Sequence, residues 1–226
     1  MKPASRPLKI GLMVPANNTT MEGELLKWLP AGSSCRTLRI PRGPGMLTKE
    51  TVPAYKEKAL ELAQQFGGDP LDMIVYGCTA AGFIYGPEGD AELAARLAAT
   101  TGRRVVTTAS AMVKALEDCG AKQVAVVTPY QDHVNEQLTA FLAASAIHVK
   151  RLSSFKASTT DELGRITAEQ VAQRARDTMG RDCDAMFIAC SQLPTHAILD
   201  GLRRELGRPV WSSIQASAWQ TEKRLA

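Results

Sequence analysis

Leu71-Asp-Met-Ile-Val-Tyr-Gly-Cys78 and Cys183-Asp-Ala-Met-Phe-Ile-Ala-Cys190 share one pattern, an acidic residue, a short apolar run and a terminal cysteine. They stand about half of the 226 residues apart. Two further pairs repeat at a similar spacing. Lys9-Ile-Gly-Leu-Met-Val-Pro15 reads like Gln123-Val-Ala-Val-Val-Thr-Pro129, and Thr101-Gly-Arg-Arg-Val-Val-Thr-Thr108 reads like Leu206-Gly-Arg-Pro-Val-Trp-Ser-Ser213. Self-similarity at one period marks a duplicated structural unit.

Apolar runs without alternation are strands buried on both faces, as in parallel sheets covered by helices. The sequence predicts such strands over Lys9–Val14, Met73–Tyr76, Val105–Thr107, Val124–Thr128, Met186–Ala189 and Val210–Ser212. Amphipathic stretches lie between them, over Met21–Leu29, Thr51–Phe66, Ala91–Thr100, Ala109–Asp118, Val134–Ala144, Ala168–Met179 and Ala197–Leu206. Alternating strands and helices give an α/β fold of two similar lobes. Each lobe is a short parallel sheet flanked by helices, and a pseudo-twofold axis relates them. The expected division is residues 1–115 for lobe one, completed by 210–226, and 116–209 for lobe two. The strand at Val210 is expected to cross back to lobe one. Open α/β sheets bind ligands beyond the carboxyl ends of their strands, so the site is expected in the cleft between the lobes.

Composition is that of an ordinary soluble protein, with 45% apolar residues, 22% charged residues and a net charge of +4. That excess is too small and too dispersed for a nucleic-acid binder. The first apolar run ends at Pro15, too short for a signal peptide or a membrane span. The five cysteines include no C-x-x-C pair, so neither a structural zinc site nor a disulfide scaffold is expected. Free thiols point to the cytoplasm. No G-x-G-x-x-G or phosphate loop occurs, and Gly43-Pro-Gly45 reads as a turn.

Cys78 and Cys190 hold the same repeat position. Each ends a strand and precedes a hydroxyl residue, Thr79 or Ser191, and a helix-prone stretch. A strand end near a helix N-terminus lowers a thiol's pKa and favours the reactive thiolate. One cysteine alone reads equally well as a small core residue. Two that face each other across a cleft form an acid–base or nucleophile–acid pair. Cys35, Cys119 and Cys183 lack this placement and read as structural.

The paired cysteines resemble the two-thiol site of the aspartate/glutamate racemase superfamily, and the resemblance runs from Ile10 to about Trp219. Val14-Pro-Ala-Asn-Asn-Thr-Thr-Met-Glu22 is similar to the P-S-S-N-T-T-M-E loop of maleate cis-trans isomerases. Ala189-Cys-Ser-Gln-Leu-Pro194 is similar to their A-C-x-Q-x-P. The Tyr130–Leu142 and Val210–Trp219 stretches instead resemble arylmalonate decarboxylase, which has glycine where this chain has Cys78. The superfamily works without a cofactor or metal, and its fold is commonly dimeric. The resemblance implies a small mono- or dicarboxylate substrate held by Asn18, by the Tyr130 hydroxyl, by Asn135 and by backbone amides near Thr79 and Ser191. It implies Cys78 as the nucleophile and Cys190 as the acid/base.

Local readings stand beside these. Thr19-Thr-Met-Glu22 fits a helix capping box, and Asn135 fits a helix-start side chain. Thr107-Thr108 and Ser212-Ser213 read as polar strand ends. His196 reads as a surface histidine, because its spacing from Cys190 is not that of the racemases. Arg36, Arg39 and Arg42 alternate as on a solvated strand edge that could steer an anion. Maleate isomerisation is the leading expectation. Racemisation of aspartate, glutamate or a related acid, and arylmalonate-type decarboxylation, are the enzyme alternatives. A carboxylate-binding sensor is the non-enzyme alternative.

Overall fold

The computed structural model describes residues 6–43 and 45–226. Residues 1–5 of the expected first lobe, and Pro44 of the expected turn, lie outside them. The first half runs β1 (Lys9–Pro15), α1 (Met21–Trp28), β2 (Ser34–Ile40), α2 (Val52–Ala63), β3 (Met73–Tyr76), α3 (Thr79–Phe83), α4 (Gly86–Thr101), β4 (Val105–Thr107) and α5 (Thr108–Asp118). The second half runs β5 (Gln123–Thr128), α6 (Asp132–Ala143), β6 (His148–Ser154), α7 (Thr160–Gly164), α8 (Ala168–Thr178), β7 (Ala185–Ile188), α9 (Leu199–Leu206), β8 (Val210–Ser212) and α10 (Ser213–Leu225).

The strands form two four-stranded sheets, ordered β2-β1-β3-β4 and β6-β5-β7-β8. Every pairing within them is parallel. The repeat in the sequence is thus a repeat in topology. β3 and β7 are buried along their whole length, as apolar runs covered on both faces must be.

Three expectations need correction. First, β6 was not foreseen as an element, and β2 was foreseen only as the solvated strand edge of Arg36 and Arg39. Both are edge strands with much exposed surface, so they carry charge instead of an apolar run. Arg36 and Arg39 lie on β2 as a solvated edge requires, but Arg42 lies past its end. Second, β8 pairs with β7 through Met186–Val210, Phe187–Trp211 and Ile188–Ser212, so the strand at Val210 stays in the second sheet. It is the following helix, α10, that packs against α5 and α1. Third, a helix follows Cys78 directly, whereas turns follow Cys190 until α9 begins at Leu199. Pro194 in that segment cannot donate a helical hydrogen bond and disfavours helix at Leu193.

Gly77 brings the end of β3 against β1. Its N–H donates to Met13 O at 2.7 Å. A Cβ at this position would lie 2.8 Å from Val14 Cγ1 and 3.0 Å from the Met13 carbonyl oxygen. Neither atom has free space to yield into, because Met13 and Val14 are core. Gly77→Ala is therefore expected to lower unfolding stability by about 1–3 kcal/mol, the usual cost of overpacking. Urea titration of the two proteins checks this, and an unchanged midpoint would show that the strand end relaxes freely.

Candidate active site

The C-terminal ends of β1, β3, β5 and β7 converge on one cavity. Its empty space, including the mouth, is about 490 Å³, a usual size for a small-ligand site. Asn17 and Asn18 enter it from β1, Cys78 and Thr79 from β3, Tyr130 and Gln131 from β5, and Cys190, Ser191 and Gln192 from β7. Met46, Leu47, Val134 and Leu163 supply apolar walls. Arg42 is the one charged side chain among the described residues lining it.

The structure thus brings together Cys78, Cys190, Asn18, Tyr130, Thr79 and Ser191. It leaves Asn135 out. Asn135 accepts from Thr128 Oγ1 at 2.7 Å and donates to Tyr130 O at 3.1 Å, so it anchors the Tyr130 backbone from behind and does not line the cavity.

Both thiols are buried, with Cys78 5% and Cys190 8% exposed. Burial pushes both thiol pKa values up, against the lowering expected from a helix N-terminus, because desolvating a thiolate outweighs the local donors. Their surroundings differ, however. The rise at Cys78 is offset by the Ala81 amide in α3, by the Arg42 charge and by the Tyr55 hydroxyl. Cys190 has no cation among its partners and is pushed up to about 11. The Gln192 amide donates to its sulfur at 3.4 Å, and Tyr130 also lowers its pKa, while the neighbouring Cys78 raises it. Equivalent positions in the repeat have therefore become chemically unequal.

The Tyr130 ring is held edge-on against Phe83 at 5.5 Å between centroids. Its buried hydroxyl finds no well-formed hydrogen bond among the described residues, although Cys190 and Thr79 lie beside it. A buried hydroxyl without a partner is costly, and a ligand oxygen in the cavity would satisfy it.

Hydrogen bonds across the lobes fix the remaining groups. Asn18 Nδ2 donates to Ser191 Oγ at 3.0 Å, and Ser191 Oγ donates to Gly77 O at 2.6 Å. Thr19 N–H donates to Gln192 Oε1 at 2.9 Å, and Gln192 Nε2 donates to Thr19 Oγ1 at 3.1 Å. Thr195 N–H and Oγ1 both donate to Glu24, at 2.8 and 2.9 Å for the shorter contacts. Thr79 Oγ1 donates to Ser213 Oγ at 3.1 Å.

The expected capping box does not form. Asn18 Oδ1 accepts from the Thr20 and Met21 amides at 3.1 and 2.9 Å and so caps α1, while Glu22 reaches Arg39 at 3.4 Å. Asn18 satisfies the helix start with its oxygen and keeps one amide hydrogen beyond the Ser191 bond for the cavity. Thr107 and Ser212 are helix caps, for α5 and α10. His196 packs against Trp28 with the rings tilted, 4.7 Å between centroids, outside the cavity lining.

Sequence reasoning assigned no role to several residues at the site. Asn17, Gln131 and Gln192 were visible within segments already singled out, and all three line the cavity. Arg42 was read as part of a solvated edge that could steer an anion, and it lines the cavity instead. Tyr55 had no signal, since only the fold places α2 behind Cys78.

Known proteins share this fold over most of the chain. Maleate isomerase of Geobacillus stearothermophilus is 26% identical over 98% of this chain and 93% of its own length. Arylmalonate decarboxylase of Bordetella bronchiseptica is 28% identical over 78% of this chain and 75% of its own. The solved structure of Nocardia farcinica maleate cis-trans isomerase, a cysteine-to-serine mutant with a covalently bound succinylcysteine intermediate, matches with a TM-score of 0.84. It is 28% identical and covers 97% of this chain and 93% of that one. Among the described residues no helix is long and apolar enough to cross a membrane. The arylmalonate decarboxylase family model matches residues 10–226, and the chain belongs to that family.

Proposed function

We propose that the protein isomerises a small unsaturated dicarboxylate, of the maleate-to-fumarate type, with its own two thiols and no cofactor. The observation that carries this is the meeting of Cys78 and Cys190, from equivalent strand ends, in one buried cavity whose lining among the described residues contains a single cation. The succinylcysteine trapped in the Nocardia relative supports the same chemistry.

The Cys78 thiolate adds to one alkene carbon. An S–C bond forms, the π bond breaks, and the electron pair moves to the other carbon and its carboxylate. Cys190 gives its proton to that carbon, leaving a succinyl thioether with a freely rotating C–C bond. After rotation the Cys190 thiolate takes the proton back and the Cys78 thiolate leaves, giving the trans alkene. The covalent step replaces one prohibitive rotation with two accessible steps. Arg42 and the spare Asn18 hydrogen hold one carboxylate. The Tyr130 hydroxyl and the amides at Thr79 and Ser191 hold the other, on which negative charge develops. Asn135 acts only by fixing Tyr130.

The apolar walls of Met46, Leu47, Val134 and Leu163 favour a second reading, arylmalonate-type decarboxylation, which needs one thiol as acid. Proton NMR in deuterated buffer with maleate, phenylmalonate, aspartate and glutamate separates these readings. Fumarate is the expected product. Loss of CO₂ from phenylmalonate with maleate untouched would replace the first reading with the second.

A further inference from the structure

Tyr55 lies on α2, and its side chain is buried, with the residue 4% exposed. Its hydroxyl oxygen is also buried and makes no well-formed hydrogen bond among the described residues. A phenylalanine would fill the same space without leaving a polar atom unsatisfied. The hydroxyl nevertheless lies within reach of the Cys78 sulfur, and the Arg42 charge acts on both. A neutral thiol accepts hydrogen bonds poorly, whereas a thiolate accepts them strongly. The unused donor therefore has a partner in one state of the catalytic cycle, the one in which Cys78 has lost its proton.

The groups around Cys78 limit what else could do this. Tyr76 on β3 interacts with it but is fully buried in sheet one. Tyr130 and Cys190 face it from the second half, where the Tyr130 hydroxyl lies beside Cys190 and Thr79 without a well-formed hydrogen bond. Arg42 supplies charge from the segment after β2, and Gly45 O takes one of its N–H donors. The Tyr55, Tyr76 and Tyr130 hydroxyls are all buried without a well-formed hydrogen bond, but Tyr55 is the one placed to donate to Cys78, across the Arg42, Met46 and Leu47 wall that it shares with the cavity. Tyr55 and Tyr130 are not repeat equivalents, since one sits on a helix and the other follows β5.

We infer that Tyr55 is a positioning residue whose hydroxyl hydrogen-bonds the Cys78 sulfur and, with Arg42, selects Cys78 over Cys190 as the nucleophile. This rests on the two-thiol reading above but concerns the resting thiol, so its test needs no substrate.

In a Cys190→Ser background, Cys78 is alkylated with iodoacetamide across a range of pH, and the labelled peptide is followed by mass spectrometry. Adding Tyr55→Phe is expected to shift the midpoint upward by about one pH unit and to slow labelling about tenfold below it, the usual effect of losing a hydrogen bond to a charged group. In the otherwise native enzyme, Tyr55→Phe is expected to lower kcat about tenfold while KM stays within about twofold. Thermal stability should hold or rise, because an unsatisfied hydroxyl has been removed. Superimposable labelling profiles would overturn the inference, as would a loss of stability with no shift in midpoint. A shifted labelling midpoint without maleate turnover would keep the role of Tyr55 and reject the isomerase reading.

Discussion

Cys78→Ser is expected to reduce maleate turnover by at least about 10³-fold, as removal of an enzymatic nucleophile commonly does. Serine nearly matches cysteine in volume, and Cys78 packs against its neighbours without a disulfide, so the fold should persist. The lost property is ionisation. Even a buried thiol, with its raised pKa, forms an anion far more readily than an alcohol does. Substrate binding should survive, since Arg42, Asn18 and Tyr130 are untouched. Maleate should therefore still raise the melting temperature of a variant that makes no fumarate. Turnover within tenfold of the parent would remove Cys78 from the reaction.

Cys190→Ser is expected to behave differently, with a covalent adduct on Cys78 and turnover down by about 10²–10⁴-fold. Addition still proceeds, with the proton supplied slowly by solvent. The adduct then persists, because serine cannot act as the base that removes the proton before elimination. Intact-protein mass spectrometry should show a gain of one substrate molecule, which Cys78→Ser in the same protein abolishes. The pH profile follows from the same division of labour. Addition needs Cys78 deprotonated and Cys190 protonated. Activity should therefore rise with pH through the elevated Cys78 value and fall as pH passes through about 11, where Cys190 loses its proton. A variant with no adduct and full activity would end the assignment of Cys190 as the acid.

Legibility in the sequence followed burial. β1, β3, β5 and β7 announced themselves because both faces are covered, and their shared pattern placed the two cysteines at one cavity. The edge strand β6 did not, and β2 did so only as a solvated edge, because water covers what a partner strand would otherwise bury. Arg42 and Tyr55 are distant from Cys78 along the chain, and only the crossover from β2 through α2 to β3 brings them to it. Asn135 shows the reverse case. A residue matched by resemblance bonds Thr128 and Tyr130 behind the cavity and is not part of its lining. The assumption of equal helices after both cysteines failed at Pro194, which left Cys190 with turn amides in place of a helix start.

The bonds that tie the turns after Cys190 to α1, with α10 lying over α1 and α5, have a consequence for the origin of the molecule. A duplicated gene first encodes two units that each fold alone, and independence then lasts only while neither leans on the other. Here the start of α1 depends on Gln192 and Thr195 from the far half, and the last helix of the chain covers surface belonging to the first. Neither half could now be excised without stranding polar atoms and apolar faces that its counterpart satisfies. Substitutions around either thiol therefore act on a single cooperative unit.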